Sequence, residues 1–176
     1  MIRTTRSPFL QRGFTLMELV IVVVVLGFLS AVGSTMIVDT FKTTKMVYAS
    51  QSAATQARYA VERLAREIRQ VKYTGSNYVI GSITSPASSA SFTNVINGVE
   101  QAVSVDVNGT DLRLSYGAPL VLCGNVSGFT VNYLQLDNSA ATSTANVRFV
   151  VISLTVTDGT SGQSITERLR VALRSS

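Results

Sequence analysis

From Leu19 to Val38 the chain reads LVIVVVVLGFLSAVGSTMIV, an uncharged run with Glu18 immediately before it. As a helix, these about 20 residues span about 30 Å, the thickness of a bilayer's hydrocarbon core. Gly27, Gly33, Ser30, Ser34 and Thr35 are compatible with that reading, because small residues and hydroxyls can face a neighbouring helix. Arg3, Arg6 and Arg12 precede the run, which predicts a cytoplasmic N-terminus with the bulk of the chain across the membrane.

Two readings of this segment rest on the residues alone. A secretory signal peptide cut near Ser30–Gly33 fits poorly, because the apolar run continues past the short core such peptides need. A single-span anchor accommodates Glu18 through a capping box: Thr15 and Glu18 have the T-x-x-E spacing directly before an apolar run. There the carboxylate also meets the positive end of the helix dipole.

A third reading comes from resemblance. Arg12-Gly13-Phe14-Thr15-Leu16-Met17-Glu18-Leu19, followed by the aliphatic run, resembles the prepilin-type cleavage and methylation motif of type IV pilins and type II secretion pseudopilins. The resemblance covers about the first thirty residues. It implies a leader peptide over 1–13, cut by a prepilin peptidase between Gly13 and Phe14, and N-methylation of Phe14. It also gives Glu18 an assembly role, as the carboxylate that meets the N-terminal amine of a neighbouring subunit. Opposite charges about 4 Å apart gain about 4 kcal/mol before desolvation at an effective dielectric near 20.

The remaining composition narrows the function classes. There is no His and one Cys, Cys123, which excludes His-based acid–base and triad chemistry, zinc motifs of the H-E-x-x-H type and any internal disulfide. No Walker-type or G-x-G-x-x-G loop occurs. The chain therefore reads as a structural subunit, not an enzyme, with no cofactor and no metal site. Of 15 basic residues, three lie in the leader; the other 12 face 10 acidic ones, a balance that does not mark a polyanion trap.

Beyond Val38 neither Gly nor Pro occurs between Gly33 and Gly75. Ala57, Val61, Leu64, Ile68 and Val71 form an apolar stripe, with Arg58, Glu62, Arg63, Arg66, Glu67 and Arg69 assigned to the opposite, solvated face. This predicts one helix from about Thr15 to Tyr73. Residues 59–69 further resemble the region after the anchor in minor subunits, among them the J-type pseudopilin, the W-type minor pilin and the O-type minor pilin of mannose-sensitive haemagglutinin pili. After Gly75 the pattern turns to strands: Val103–Val107 and Leu112–Tyr116 around Asn108-Gly109, then Phe129–Tyr133, then Val147–Val156 paired with Ile165–Leu173. Stretches 82–91 and 137–146 read as surface loops.

The expected architecture is α+β and pilin-like, a long N-terminal helix packed on an antiparallel β-sheet. Residues 14–38 would cross the membrane and 39–176 would form a periplasmic domain that includes the helix's second half. The resemblance implies a subunit of a type IV pilus (fimbrium) or type II secretion pseudopilus, anchored in the bacterial inner membrane before assembly. Its implied partners are prepilin peptidase, membrane lipid, the inner-membrane assembly platform, a major pilin or pseudopilin, and other minor subunits. Major pilins usually close a C-terminal loop with a disulfide, and major pseudopilins usually carry a calcium loop; neither pattern occurs here, which points to a minor subunit that primes or tips the fibre. The family's frequent Pro about twenty residues into the mature helix is replaced near Thr35. The alternative reading is a DNA-binding minor pilin of an uptake pilus, using the arginines of residues 58–72 with Arg168, Arg170 and Arg174.

Overall fold

The computed structural model describes residues 14–159 and 161–174. The chain divides into two compact units, Met1–Thr44 and Lys45–Ser176. One element, helix α1 (Leu16–Arg69), contributes residues to both. Thr15 caps its first turn: the Glu18 amide donates to the Thr15 hydroxyl at 3.3 Å, and the Leu19 amide to the Thr15 carbonyl at 3.2 Å. Arg66 and Arg69 occupy the last turn, where cations favour the negative helix end.

The helix stops short of the expected Tyr73. Gln70 and Val71 donate to the carbonyls three residues back, Glu67 and Ile68, which tightens and ends the last turn. The backbone is then captured by a sheet edge, with Val71 bridging Asn94 and Lys72 donating to the Thr93 carbonyl at 2.8 Å. Val71 continues the apolar stripe in sequence, so side-chain periodicity did not register this change of backbone partner.

The strands form two antiparallel sheets where one was expected. The first has β1 (Ala90–Ile96), β2 (Val99–Asn108), β3 (Asp111–Ser115) and β4 (Pro119–Cys123) in chain order. The second has β5 (Val126–Leu134), β6 (Phe149–Thr157) and β7 (Ser164–Ala172), also in chain order. The β2–β3 and β6–β7 hairpins match the alternation in the sequence. Strand β1 was not anticipated, and its first residues fall in a stretch read as loop. Between β1 and β2 the chain reverses at Asn97-Gly98, both with positive φ (53° and 78°), as a tight primed turn requires.

In the Lys45–Ser176 unit the buried helix face is mostly small: Ala53, Ala57, Ala60 and Ala65, with Val61, Leu64 and Ile68. It shares one core with Leu112 and Leu114 of β3 and Ile152 and Leu154 of β6, all fully buried. Each such side chain contributes about 1.5–3 kcal/mol by leaving water.

The sheet edges are managed differently. Val71 and Ile80 bridge the outer edge of β1, and Ala87 bridges that of β5. Strand β4 is short, begins with a proline and meets β3 through a register shift, features that discourage further pairing. Strand β7 is nine residues long, regular throughout, and paired only with β6 among the described residues.

Candidate functional site

At the N-terminal end, Gly13 lies outside the described residues. Phe14, the residue after it, is 75% exposed. The cap at Thr15 is made with the Glu18 backbone amide, so the Glu18 side chain is not what holds it. Among the described residues that carboxylate has no hydrogen bond or ion pair, and it is the sole ionisable side chain from Phe14 to Val38.

From Leu19 to Val38 the helix carries apolar, largely exposed residues on all sides. Its most apolar window has a mean hydropathy of 2.6, enough by length and composition to cross a membrane. The hydroxyls in it are internally satisfied. Ser30 donates to the Leu26 carbonyl at 2.7 Å, and Ser34 and Thr35 donate to Ala31 and Val32 at 2.8 Å each. Polar atoms bonded in this way are compatible with hydrocarbon or with an apolar neighbouring helix.

A second polar constellation lies near the helix's C-terminal end, and sequence reasoning misplaced its centre. Glu67 is not on the solvated face but buried, 3% exposed. Its Oε1 pairs with Arg63 Nη2 at 2.9 Å, and its Oε2 accepts from Asn94 Nδ2 at 2.8 Å, with Asn94 itself fully buried on β1. Arg63 also donates to the Tyr116 hydroxyl at 2.9 Å. Burial, and then the neighbouring Glu67 carboxylate, push the Tyr116 phenol up to about 12. The signal was present in the spacing, since Glu67 lies seven residues after buried Ala60 and three after buried Leu64. The i, i+4 ion pair of Arg63 with Glu67 spans the boundary between core and solvent.

The arginines fall into distinct groups. Arg58, Arg66 and Arg69 are exposed on α1, whereas Arg63 is engaged by Glu67 and Tyr116. Arg168 and Arg170 are exposed on β7, and the Arg170 guanidinium lies 3.7 Å from the centre of the Phe149 ring. Cys123 is buried and unbridged, and burial raises its thiol pKa, which keeps it protonated and inert. Hydrogen bonds from Ser139 hold the exposed Asp137 carboxyl below the usual range, as in an ordinary loop turn. Among the described residues no group of three or more His, Cys, Asp or Glu is placed to hold a metal.

No curated protein matches this chain in a sequence comparison. Residues 9–34 match the family described as the prokaryotic N-terminal methylation motif. That match covers Gly13, Phe14, Glu18 and most of the apolar run; among the described residues Glu18 is an acid without an ion-pair partner near the start of a long helix. This motif, the long apolar N-terminal helix and the antiparallel sheets together support a type IV pilin-like prepilin.

Proposed function

We propose that the chain is a structural minor pilin or minor pseudopilin that primes or tips a short fibre. Prepilin peptidase cuts it between Gly13 and Phe14 at the cytoplasmic face of the inner membrane, and the new Phe14 amine is methylated. Residues 14–38 hold the subunit in the bilayer until assembly, with residues 39–176 on the periplasmic side. The assembly platform then moves it into a bundle of similar helices, beside the major subunit and other minor ones.

The observation that carries this reading is the Glu18 carboxylate, unpartnered among the described residues at the head of a helix with no other charge before Asp39. In lipid or between apolar helices, an acid without a counter-charge is costly, and the neighbour's N-terminal ammonium supplies one. The minor role is supported by the single cysteine, since a disulfide-closed C-terminal loop needs two.

Subunit counting tests the minor role. Fibres purified from the native cell are digested, and peptides from the Lys45–Ser176 unit are quantified by mass spectrometry against those of the main subunit. The expected ratio is far below one; equal abundance would make this chain a main subunit and refute the proposal.

A further inference from the structure

The open edge of β7 carries a recognition pattern that neither the membrane anchor nor the core explains. The Leu173 amide donates to the Arg148 carbonyl at 2.9 Å, which makes Phe149–Ala172 a non-hydrogen-bonded pair of the β6–β7 ladder. Pairs alternate in an antiparallel ladder, so Val150–Val171, Ile152–Leu169 and Leu154–Glu167 exchange bonds. The main-chain N–H and C=O groups of Thr166, Arg168 and Arg170 therefore point away from β6, toward the open edge. Among the described residues nothing bonds to them.

The side chains at these positions share one face. Arg168 and Arg170 line a recess of about 650 Å³ together with Asn132, Asn138, Leu134 and Val151. Arg170 sits opposite Val151 on β6, which in turn sits opposite Asn132 on β5. The recess thus has an apolar floor with amide groups on one side and, on the other, two arginines of the edge strand, the Arg170 guanidinium lying over the Phe149 ring. Neither arginine has an ion-pair partner among the described residues.

We propose that β7 is a docking edge for an extended acidic segment of another protein, which adds as a fourth strand beside β7. Main-chain hydrogen bonds would form at Thr166, Arg168 and Arg170, and residues of the incoming strand directly opposite the arginines would place carboxylates against them. Arginine favours this because its fork of N–H donors binds a carboxylate bidentately. The same charges discourage a second copy of β7 from pairing, so the edge selects against itself and for an acidic partner. Nucleic acid is a poorer fit. The Phe149 ring face is already covered by Arg170, and a free strand edge offers main-chain groups that pair with a peptide backbone.

The test uses the full chain in non-ionic detergent and a synthetic peptide of alternating valine and glutamate, about as long as β7. Saturable binding is expected, with at least a tenfold loss on Arg168→Ala/Arg170→Ala. A similar loss is expected, on the unaltered protein, when every second amide of the peptide is N-methylated. This last comparison needs no protein variant, so a misfolded mutant cannot mask the answer. The proposal is overturned if the acidic peptide does not bind, if a valine–lysine peptide or the methylated peptide binds equally well, or if a single-stranded oligonucleotide binds more tightly than the acidic peptide.

Discussion

Glu18→Ala leaves the subunit membrane-inserted and cleaved, yet its recruitment into fibres falls at least tenfold per membrane copy. The structure separates two roles that the sequence leaves entangled. The Thr15 cap uses the backbone amide of Glu18, which alanine retains, so helix initiation survives the change. What alanine removes is the carboxylate. An ion pair with a neighbour's amine gains about 4 kcal/mol before desolvation, and a net of about 1.4 kcal/mol already gives tenfold. Thr15→Ala is the counter-experiment: it costs the cap about 1 kcal/mol and leaves the charge in place. Quantifying each variant in membranes and in sheared fibres checks both. Should Glu18→Ala insert badly or be degraded while recruitment per surviving molecule stays normal, the carboxylate serves the anchor and not the assembly.

Glu67→Ala lowers the stability of the folded domain by about 3 kcal/mol, roughly 10 °C in Tm. The reason is not the Arg63 pair alone, since Arg63 is 34% exposed in its side chain and water can replace part of that contact. It is that Asn94, fully buried, keeps its amide donor but loses the acceptor. An orphaned buried donor costs about 1–3 kcal/mol, and the charge-assisted bond is lost with it. Glu67→Gln retains an acceptor and the shape, so it costs less. Both variants also remove the anionic neighbour of Tyr116, and its phenol, held at about 12, titrates closer to the ordinary value. The sign follows from linkage. A phenol raised in the folded state favours folding fully below the unfolded value of about 10, and this contribution disappears as pH rises through the folded value. Ultraviolet titration of phenolate, with thermal melts of each variant, provides the readout. Unchanged melting of Glu67→Ala would show that the buried constellation adds nothing to stability.

Much of this architecture was legible where one periodicity ran unopposed. The apolar run, the stripe from Ala57 to Ile68, and the two hairpins built on Val103–Tyr116 and Val147–Leu173 announce themselves by spacing. The misses occur where chemistry and pattern disagree. Strand β1 holds Ser91, Thr93 and the buried Asn94, so its composition resembles a loop. Asn94 is inside because Glu67, on another element, supplies its acceptor. Strand β4 exposes Leu120 and Val121, which gives a continuous apolar run without the alternation of a half-buried strand. Glu67 was assigned to solvent because of its charge, though its helical position is that of a core residue. The division into two sheets depends on long-range pairing, which no local pattern encodes.

The candidate site divided in the same way. Gly13, Phe14 and Glu18 were named from their motif, and they lie within the matched residues 9–34. The open edge of β7 was not visible, because arginines alternating with apolar residues describe any half-buried strand. Only the hydrogen-bond phase of the ladder reveals that Arg168 and Arg170 also present free main-chain groups.

A cut between Gly13 and Phe14 would create the amine which Glu18 of a neighbour meets. Intact mass and N-terminal sequence of the chain isolated from native membranes test it most directly. The expected product is a polypeptide that begins at Phe14 and carries one added methyl group on its amine. A chain that still begins at Met1 would contradict it.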